Sequence, residues 1–495
     1  MQWLKSKQVQ ITAIILFLSI TGFYSKPFFR DFIIVFEGTY RLFLGQIPYT
    51  DFFIPTTPLS YYLPLPFFYL FGPTVTALMA LTSVMSVILA LIFYKEIKKE
   101  VPFIAALFLC IAGFFCFNGK FNYPYYSTSV PYFFVSLAIL NLVSSLKQKT
   151  LSNKNLFTIS MLLLASLLSK QDVGAVSTTL ITLYLFYFKP ASFKNIFKYF
   201  ILPYIIGIVA VGGHFLYRTD FLEHIYIGGK GMFATSINPL HFITSIPFSL
   251  TAWFIVIASV LWFKIKEKRA YLGLIIVFCS TAYITSFFTT SIYEVRAVPL
   301  VISLYLFYEV LKDRSQKVSK QKQIAALVFI AIVISNSGAL FSRYIIGSFA
   351  YTPFTKQSPK MLPQYTRLSR SYKGVPILKE HHKPLQEIRA LIKENQNSFI
   401  NLSEYQFLYS DYNVAPPKPF PLNFHHGLYF FDEDLPTVMT TIEKSKAKLI
   451  FVQNHHPSQD PHFLSKFKKK LELLGYKYYR SFNAPTGPVM AYKLG

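Results

Sequence analysis

Cysteine is scarce in this sequence, with three in 495 residues. All three, Cys110, Cys116 and Cys279, lie inside apolar runs, where a thiol behaves as a small buried hydrophobe, so no disulfide framework is implied. Charge is also scarce: 15% of residues are charged and 53% are hydrophobic. An average soluble chain carries about 25% charge, so this composition argues against a wholly soluble protein. Acids are scarcest, 23 against 49 Lys and Arg, for a formal net charge of +26. A basic balance of this size suits nucleic acid in principle, but the lysines fall in short clusters between long apolar runs. That pattern belongs to cytoplasmic loops of a membrane protein, and no nucleic-acid partner is expected.

A bilayer core takes about 20 apolar residues per helix. Candidate spans run near 8 to 24, 75 to 94, 101 to 117, 129 to 146, 156 to 170, 173 to 188, 199 to 217, 246 to 263, 270 to 289, 297 to 311 and 323 to 341. The first, behind Lys5 and Lys7, lacks a small-x-small cleavage site and reads as an uncleaved helix rather than a signal peptide. Alternate seams, with the N-terminus, hold about 20 Lys/Arg against about 8 in the opposite seams, which predicts a cytoplasmic N-terminus. Everything after the eleventh helix is then outside.

From about Ser342 the composition shifts to prolines, paired histidines and ordinary amphipathic segments. Helices are expected over 384–395, 436–446 and 463–474, and strands over 398–402, 448–453, 476–482 and 489–493. The expected fold is therefore a polytopic α-helical membrane protein of about 11 transmembrane helices, residues 1–341, followed by a small extracytoplasmic α/β domain, residues 342–495. No internal repeat or low-complexity tract interrupts this division.

The first outer loop, residues 25–74, is the most informative stretch. It runs through Phe29-Arg30-Asp31-Phe32 and Glu37-Gly38 to Gly45-Gln46-Ile47-Pro48-Tyr49-Thr50-Asp51-Phe52, then through an aromatic, proline-led segment to Leu70-Phe71-Gly72. Its composition predicts an amphipathic surface helix, a tight turn and a second, aromatic interfacial helix. An acid just after the first helix, fourteen residues before a Gly-x-x-Pro-Tyr-x-Asp-Phe turn, with a Leu-Phe-Gly stop behind, resembles the GT-C superfamily of membrane glycosyltransferases. That class contains the protein O-mannosyltransferases and the aminoarabinose lipid A transferases. Helix count, orientation and an outward C-terminal domain extend the resemblance loosely over the membrane region. The chain departs from it where Phe32 stands in place of the second acid that many relatives carry beside the first, which weakens a metal-binding acidic pair.

The resemblance implies transfer of a sugar, with inversion, from a polyprenyl-phosphate donor to a glycan, lipid or protein acceptor on the outer face of a bacterial inner membrane. Such chemistry needs a carboxylate to take or orient the acceptor's proton and cations to stabilise the departing phosphate. Asp31 is the expected base; its structural alternative is an interfacial acid pairing with Arg30. Glu37 lies nearly two helical turns on, as a supporting acid or a solvated one. Asp51 follows a turn, where Asp commonly closes local backbone.

Ser169-Lys170-Gln171-Asp172-Val173-Gly174 sits between two apolar runs with almost no room for a loop. Charge at that depth must pair or face a cavity, and so marks a functional site. A Lys-Gln-acid group at this helix end is also similar to what GT-C relatives show. Lys170 is the first choice for donor phosphate, against a plain Lys170–Asp172 pair, with Gln171 and Asp172 lining the site. Glu294 and Arg296 stand at the outer mouth of the tenth span, where the planar fork of Arg296 suits phosphate or anchors helix depth by snorkelling. Tyr123, and Lys230 within Gly228-Gly229-Lys230-Gly231, are weaker candidates; the glycine-lysine loop lacks a Walker pattern. Asp31, Lys170 and Arg296 are expected to line one outward-facing cavity.

His381-His382, His425-His426 and His455-His456 suggest metal, but adjacent residues point to different faces and no ligand spacing completes a site. No metal ligand is assigned, and the sequence leaves a divalent ion open. Asn401-Leu402-Ser403 is a glycosylation sequon only where the outside is a eukaryotic lumen. Two rival readings remain, a transporter or flippase of lipid-linked sugars and a non-catalytic scaffold. Neither broken mid-membrane helices nor repeated halves, which transporters favour, are present in the sequence.

Overall fold

The computed structural model describes residues 9, 11–16, 31–54, 56–98, 100, 106, 110, 125, 128–218, 250–285, 297–315, 363–365, 369–372, 376–424, 430–453, 461–485 and 487–495. The expected spans near 8–24, 101–117 and 323–341 lie wholly or largely outside them.

The segment expected as the first outer loop forms α1 (Asp31–Phe43), β1 (Phe52–Phe53), α2 (Leu59–Tyr62) and α3 (Leu65–Phe71). Gly45, at φ +80°, closes the end of α1, its N–H donating to the carbonyl of Leu42 at 2.9 Å. This left-handed position is open to glycine at little cost. The membrane region follows as α4 (Val75–Ile97), α5 (Ser129–Lys147), α6 (Asn153–Ser169), α7 (Gln171–Phe188) and α8 (Phe193–Ile196). A π-helical turn over Phe197–Ile201 joins α8 to α9 (Leu202–Arg218), and α10 (Leu250–Lys264), α11 (Arg269–Thr285) and α12 (Ala297–Ser315) complete it. Thr74, Ser152 and Ser192 cap α4, α6 and α8, each hydroxyl accepting from a backbone N–H three residues on.

Three described helical segments, Val75–Ile97, Ser129–Lys147 and Phe193–Phe215, are long and apolar enough to cross a membrane. Buried apolar side chains such as Leu89, Ile139, Leu163, Ile181 and Ile302 join the helices into one core. The outer faces of α9 and α10 are aliphatic as well: Ile205, Ile206, Val209, Val256 and Val260 are exposed. A soluble protein rarely leaves such a surface to water, and lipid is its natural solvent. At one end of the bundle Lys147 Nζ donates to the carbonyl of Glu96 at 3.0 Å and lies 3.8 Å from the buried carboxylate of Glu309. The C-terminal ends of α4 and α5 therefore meet α12 on the side that carries the basic seams.

The remaining elements are β2 (Pro363–Tyr365), β3 (Pro376–Leu378), α13 (His382–Glu394), β4 (Phe399–Leu402), α14 (Leu408–Tyr412), β5 (Phe420–Pro421), α15 (Leu435–Ser445), β6 (Leu449–Gln453), α16 (Pro461–Leu473), β7 (Tyr476–Ala484) and β8 (Gly487–Leu494). A four-stranded sheet runs β4-β6-β8-β7, with β4 and β6 parallel and the other pairs antiparallel. One sheet face, with Ile400, Val452 and Tyr492, packs on Val438, Ile442, Phe467 and Leu471. The other, with Leu449, Phe451 and Val489, joins the core that contains Ile388 and Leu391 of α13.

The first loop and the C-terminal elements are in direct contact. β1 of the first loop pairs in parallel with β5, Phe52 opposite Phe420 and Phe53 opposite Pro421. Phe53 is buried within the α/β core. Ser371 accepts the first backbone N–H of α4, from Val75, at 2.8 Å, and Ser410 Oγ donates to the carbonyl of Pro73 at 3.1 Å. Asp411 ties this contact together, its Oδ1 accepting from Ser369 Oγ, Ser371 N and Ser371 Oγ while Arg389 donates to Oδ2. Strands of two residues carry no periodic signal, so the pairing left no trace in the apolar pattern.

Candidate active site

The group Ser169 to Gly174 is a corner between two helices with a one-residue break. Lys170 is extended (φ −160°, ψ 118°); its N–H ends α6 on the carbonyl of Ser166, and its own carbonyl accepts from Gly174 to begin α7. The corner closes because residue 174 has no side chain: a Cβ there would press into the backbone of Leu167. Lys170 is 6% exposed. Its ammonium donates to Thr128 Oγ1 at 3.2 Å and lies 3.5 Å from Asp172 Oδ2. Asp172 also accepts the N–H of Val173 at 2.8 Å, and its place in the first turn of α7 is favoured by the helix dipole. The structural pair weighed from the sequence is thus present, and a buried cation stands where α5, α6 and α7 meet.

The first loop is fastened over this corner. Thr57 Oγ1 donates to the carbonyl of Leu167 at 2.7 Å and Ser60 Oγ to that of Ser169 at 2.8 Å. Both belong to the last turn of α6, where carbonyls have no partner within the helix. Gln171 Oε1 accepts the N–H of Thr57 at 3.2 Å, and Tyr125 donates to the carbonyl of Ser60 at 2.9 Å. Gln171 therefore positions the loop.

Asp31 is the first described residue of α1. Nearly two turns on, Glu37 is 2% exposed, and Oε1 accepts from both Nε and Nη2 of Arg41, at 2.9 and 2.7 Å. Its Oε2 has no hydrogen-bond partner among the described residues. Burial pushes the Glu37 carboxyl up to about 7, with Arg41 opposing that rise. Arg41, also fully buried, donates through Nη1 to Gln46 Oε1 at 3.2 Å and to the carbonyl of Pro417 at 3.0 Å. Gln46 donates in turn to the carbonyl of Pro416 at 2.9 Å. Glu37 is therefore a buried partner of Arg41, and its alternative as a solvated acid is corrected: the C-terminal segment covers it. Asp51 closes its own turn, accepting the N–H of Ile47 at 2.9 Å, and lies 3.5 Å from Lys418.

Of the residues expected at the site, Lys170, Gln171 and Asp172 come together beneath the first loop, while Glu37 and Asp51 face the C-terminal segment. Tyr123, Lys230, Glu294 and Arg296 lie outside the described residues, as does the side chain of Asp31, so their expected convergence rests on the sequence. Arg41, Gln46, Thr57, Ser60 and Thr128 escaped the sequence reading. Only Glu37–Arg41 had a legible signal, the i, i+4 spacing of an ion pair on a helix.

Among the described residues no group of three or more His, Cys, Asp or Glu is arranged to hold a metal ion. His381 is buried with Nδ1 3.0 Å from Tyr405 OH, and burial pushes its imidazole down to about 3. Burial thus favours its neutral form. His425-His426 and His455-His456 lie outside the described residues.

No protein-family model matches the sequence, and no curated protein matches it. Solved structures do resemble the fold. ArnT from Cupriavidus metallidurans bound to undecaprenyl phosphate superposes with a TM-score of 0.55 at 11% identity, over 98% of this chain and 97% of that one. The oligosaccharyltransferase of Archaeoglobus fulgidus, tethered with an acceptor peptide containing the NVT sequon via a disulfide bond, gives a TM-score of 0.52 at 11% identity. That match covers 100% of this chain and 75% of that one. The chain thus has the fold of the GT-C membrane glycosyltransferases that its first loop resembles.

Proposed function

We propose that this protein is a membrane glycosyltransferase that moves a hexosyl or pentosyl unit from a polyprenyl-phosphate carrier to an acceptor on the outer face of a bacterial inner membrane. The observation that carries the reading is the near end-to-end likeness to a protein solved with undecaprenyl phosphate. The ammonium of Lys170, buried beneath the first loop beside Asp172, supports it, because charged groups at such a depth are costly and mark a functional site. The contact between first loop and α/β domain supports a common side for both, opposite the basic seams. The proposed orientation therefore has a cytoplasmic N-terminus and residues 342–495 as an extracytoplasmic domain.

In the proposed step the Asp31 carboxylate orients the acceptor hydroxyl and takes its proton. The acceptor oxygen attacks the anomeric carbon as the bond from that carbon to the phosphate oxygen breaks. The electron pair leaves with the polyprenyl phosphate, and Lys170, Arg296 and Lys230 stabilise the anion. A single displacement of this kind inverts the anomeric configuration. Tyr123, Gln171, Asp172 and Glu294 line the site.

The test is sugar transfer from a radiolabelled polyprenyl-phosphate pool in membranes carrying wild type or Asp31→Asn at matched expression. Transfer by wild type and its loss in the variant are expected. Equal transfer by both rejects Asp31 as the base, and silence of wild type across a broad donor panel rejects the transferase reading.

A further inference from the structure

Among the described residues β7 is an edge strand that pairs with β8 alone, and residues 477–481 are all exposed. A bulge explains why alternation fails there. Tyr478 opposes Tyr492 and Arg480 opposes Ala491, which leaves Tyr479 as the extra residue, and a bulge re-aims the side chain it carries. The ring of Tyr479 is half exposed, with Arg480 Cζ and Lys493 Nζ each 5.8 Å from its centroid.

Lys477 and Lys493 stand directly opposite each other across the β7–β8 ladder, both exposed. Like charges in that position repel and destabilise the sheet. Arg480 adds a third positive charge and is held over Phe482 at 4.6 Å. The stretch 461–495 contains seven Lys and Arg against one acid, Glu472. Lysine on an edge strand also guards against sheet-to-sheet pairing, but a guard gains nothing from the adjacent exposed tyrosines Tyr478 and Tyr479. An aromatic face flanked by cations suits a ligand that combines ring C–H surface with negative charge.

We propose that this end of the sheet binds an acidic glycan. A sugar ring stacks on Tyr479, and carboxylate or phosphate groups lie between Lys477, Arg480 and Lys493, offsetting the repulsion of the opposed lysines. That this glycan is the acceptor rests on the transferase reading; the binding itself does not.

The test is binding of fluorescent polygalacturonate, with dextran of equal length as the neutral control, to the full-length protein in detergent. Tyr479→Ala and the pair Lys477→Gln/Lys493→Gln are compared with Lys468→Gln/Lys469→Gln, which removes equal charge from α16. Binding of the acidic polymer alone is expected, weakened about 10-fold by either β7–β8 change and less than about 2-fold by the α16 change. All five positions are exposed or partly so; unaltered melting temperatures are expected for the Tyr479 and α16 changes, and an unaltered or slightly raised one where the opposed lysines are removed. Equal losses from both lysine pairs with none from Tyr479→Ala overturn the proposal in favour of unspecific charge. Binding to phosphatidylglycerol vesicles without binding to polygalacturonate overturns it in favour of a membrane contact. Sugar transfer measured on the same preparations separates the two readings: binding without transfer counts against the transferase, and transfer without binding against this site.

Discussion

Arg41 in α1 donates to the carbonyl of Pro417, 376 residues along the chain, at 3.0 Å. With Gln46 on Pro416 and β1 against β5, this bond makes the loop helix containing Asp31 part of the same body as the α/β domain. The domain is thereby placed to hold the loop helix, whatever else it contacts.

Arg41→Met is expected to loosen that body strongly. It removes the donors to Gln46 and Pro417 and leaves Glu37 buried without its cation. Breaking one side of a buried pair costs about 3–5 kcal/mol, whereas replacing both sides by apolar groups is often close to neutral. Thermal unfolding of detergent-solubilised protein should therefore show a large drop for Arg41→Met and partial recovery in Glu37→Met/Arg41→Met. A double variant no more stable than the single one would show that the pair is not the source of the loss.

Glu37 also sets a pH dependence. Its carboxyl is raised from 4.5 to about 7 by burial, so between those values the folded state holds a proton that the unfolded state has released. Stability then falls as pH rises through that window and levels off above it. A shift of this size corresponds to about 3 kcal/mol. Melting temperature measured at pH 5 and pH 8 should decline more in wild type than in Glu37→Gln, which has no proton to lose. Parallel declines in the two proteins would refute the assignment.

Long elements were legible in the sequence and short ones were not. The apolar runs at 75–94, 129–146 and 173–188 foretold α4, α5 and α7, and the amphipathic pattern of 384–395 foretold α13, because many residues repeat one periodic signal. The corner at Lys170 was legible because polar residues interrupt two apolar runs. By contrast β1 and β5 hold two residues each, and the hydroxyls of Thr57 and Ser60 reach carbonyls more than a hundred residues away. Such bonds depend on tertiary placement, which no local pattern encodes. Glu37 is legible as an acid on the loop helix, but its burial is a tertiary property that no local pattern encodes.

Lys170 separates a phosphate-binding role from a structural one. In the proposed transferase, Lys170→Met removes the cation that receives the leaving phosphate and should lower transfer by about 100-fold. Asp172→Asn keeps that cation and a group able to accept from Val173, so it should retain activity within about 10-fold. Transfer rates at saturating donor, with melting temperatures measured alongside, provide the check. Equal losses of activity in the two variants, matched by equal losses of stability, would make the pair purely structural.

Gly174→Ala tests whether the corner itself matters. The added methyl would meet the backbone of Leu167, which cannot rotate away as a side chain can. Overpacking of this kind costs about 1–3 kcal/mol, and the strain falls on the junction that sets the Lys170 backbone. Gly273→Ala is the comparison, because its methyl would meet only the rings of Phe188 and Tyr184. Both variants should lower the melting temperature, but only Gly174→Ala should displace the first loop, whose Thr57 and Ser60 hold two carbonyls of the last turn of α6. Faster proteolysis within residues 44–58 in Gly174→Ala, and not in Gly273→Ala, is the expected outcome; equal rates would mean that the loop is held independently of the corner.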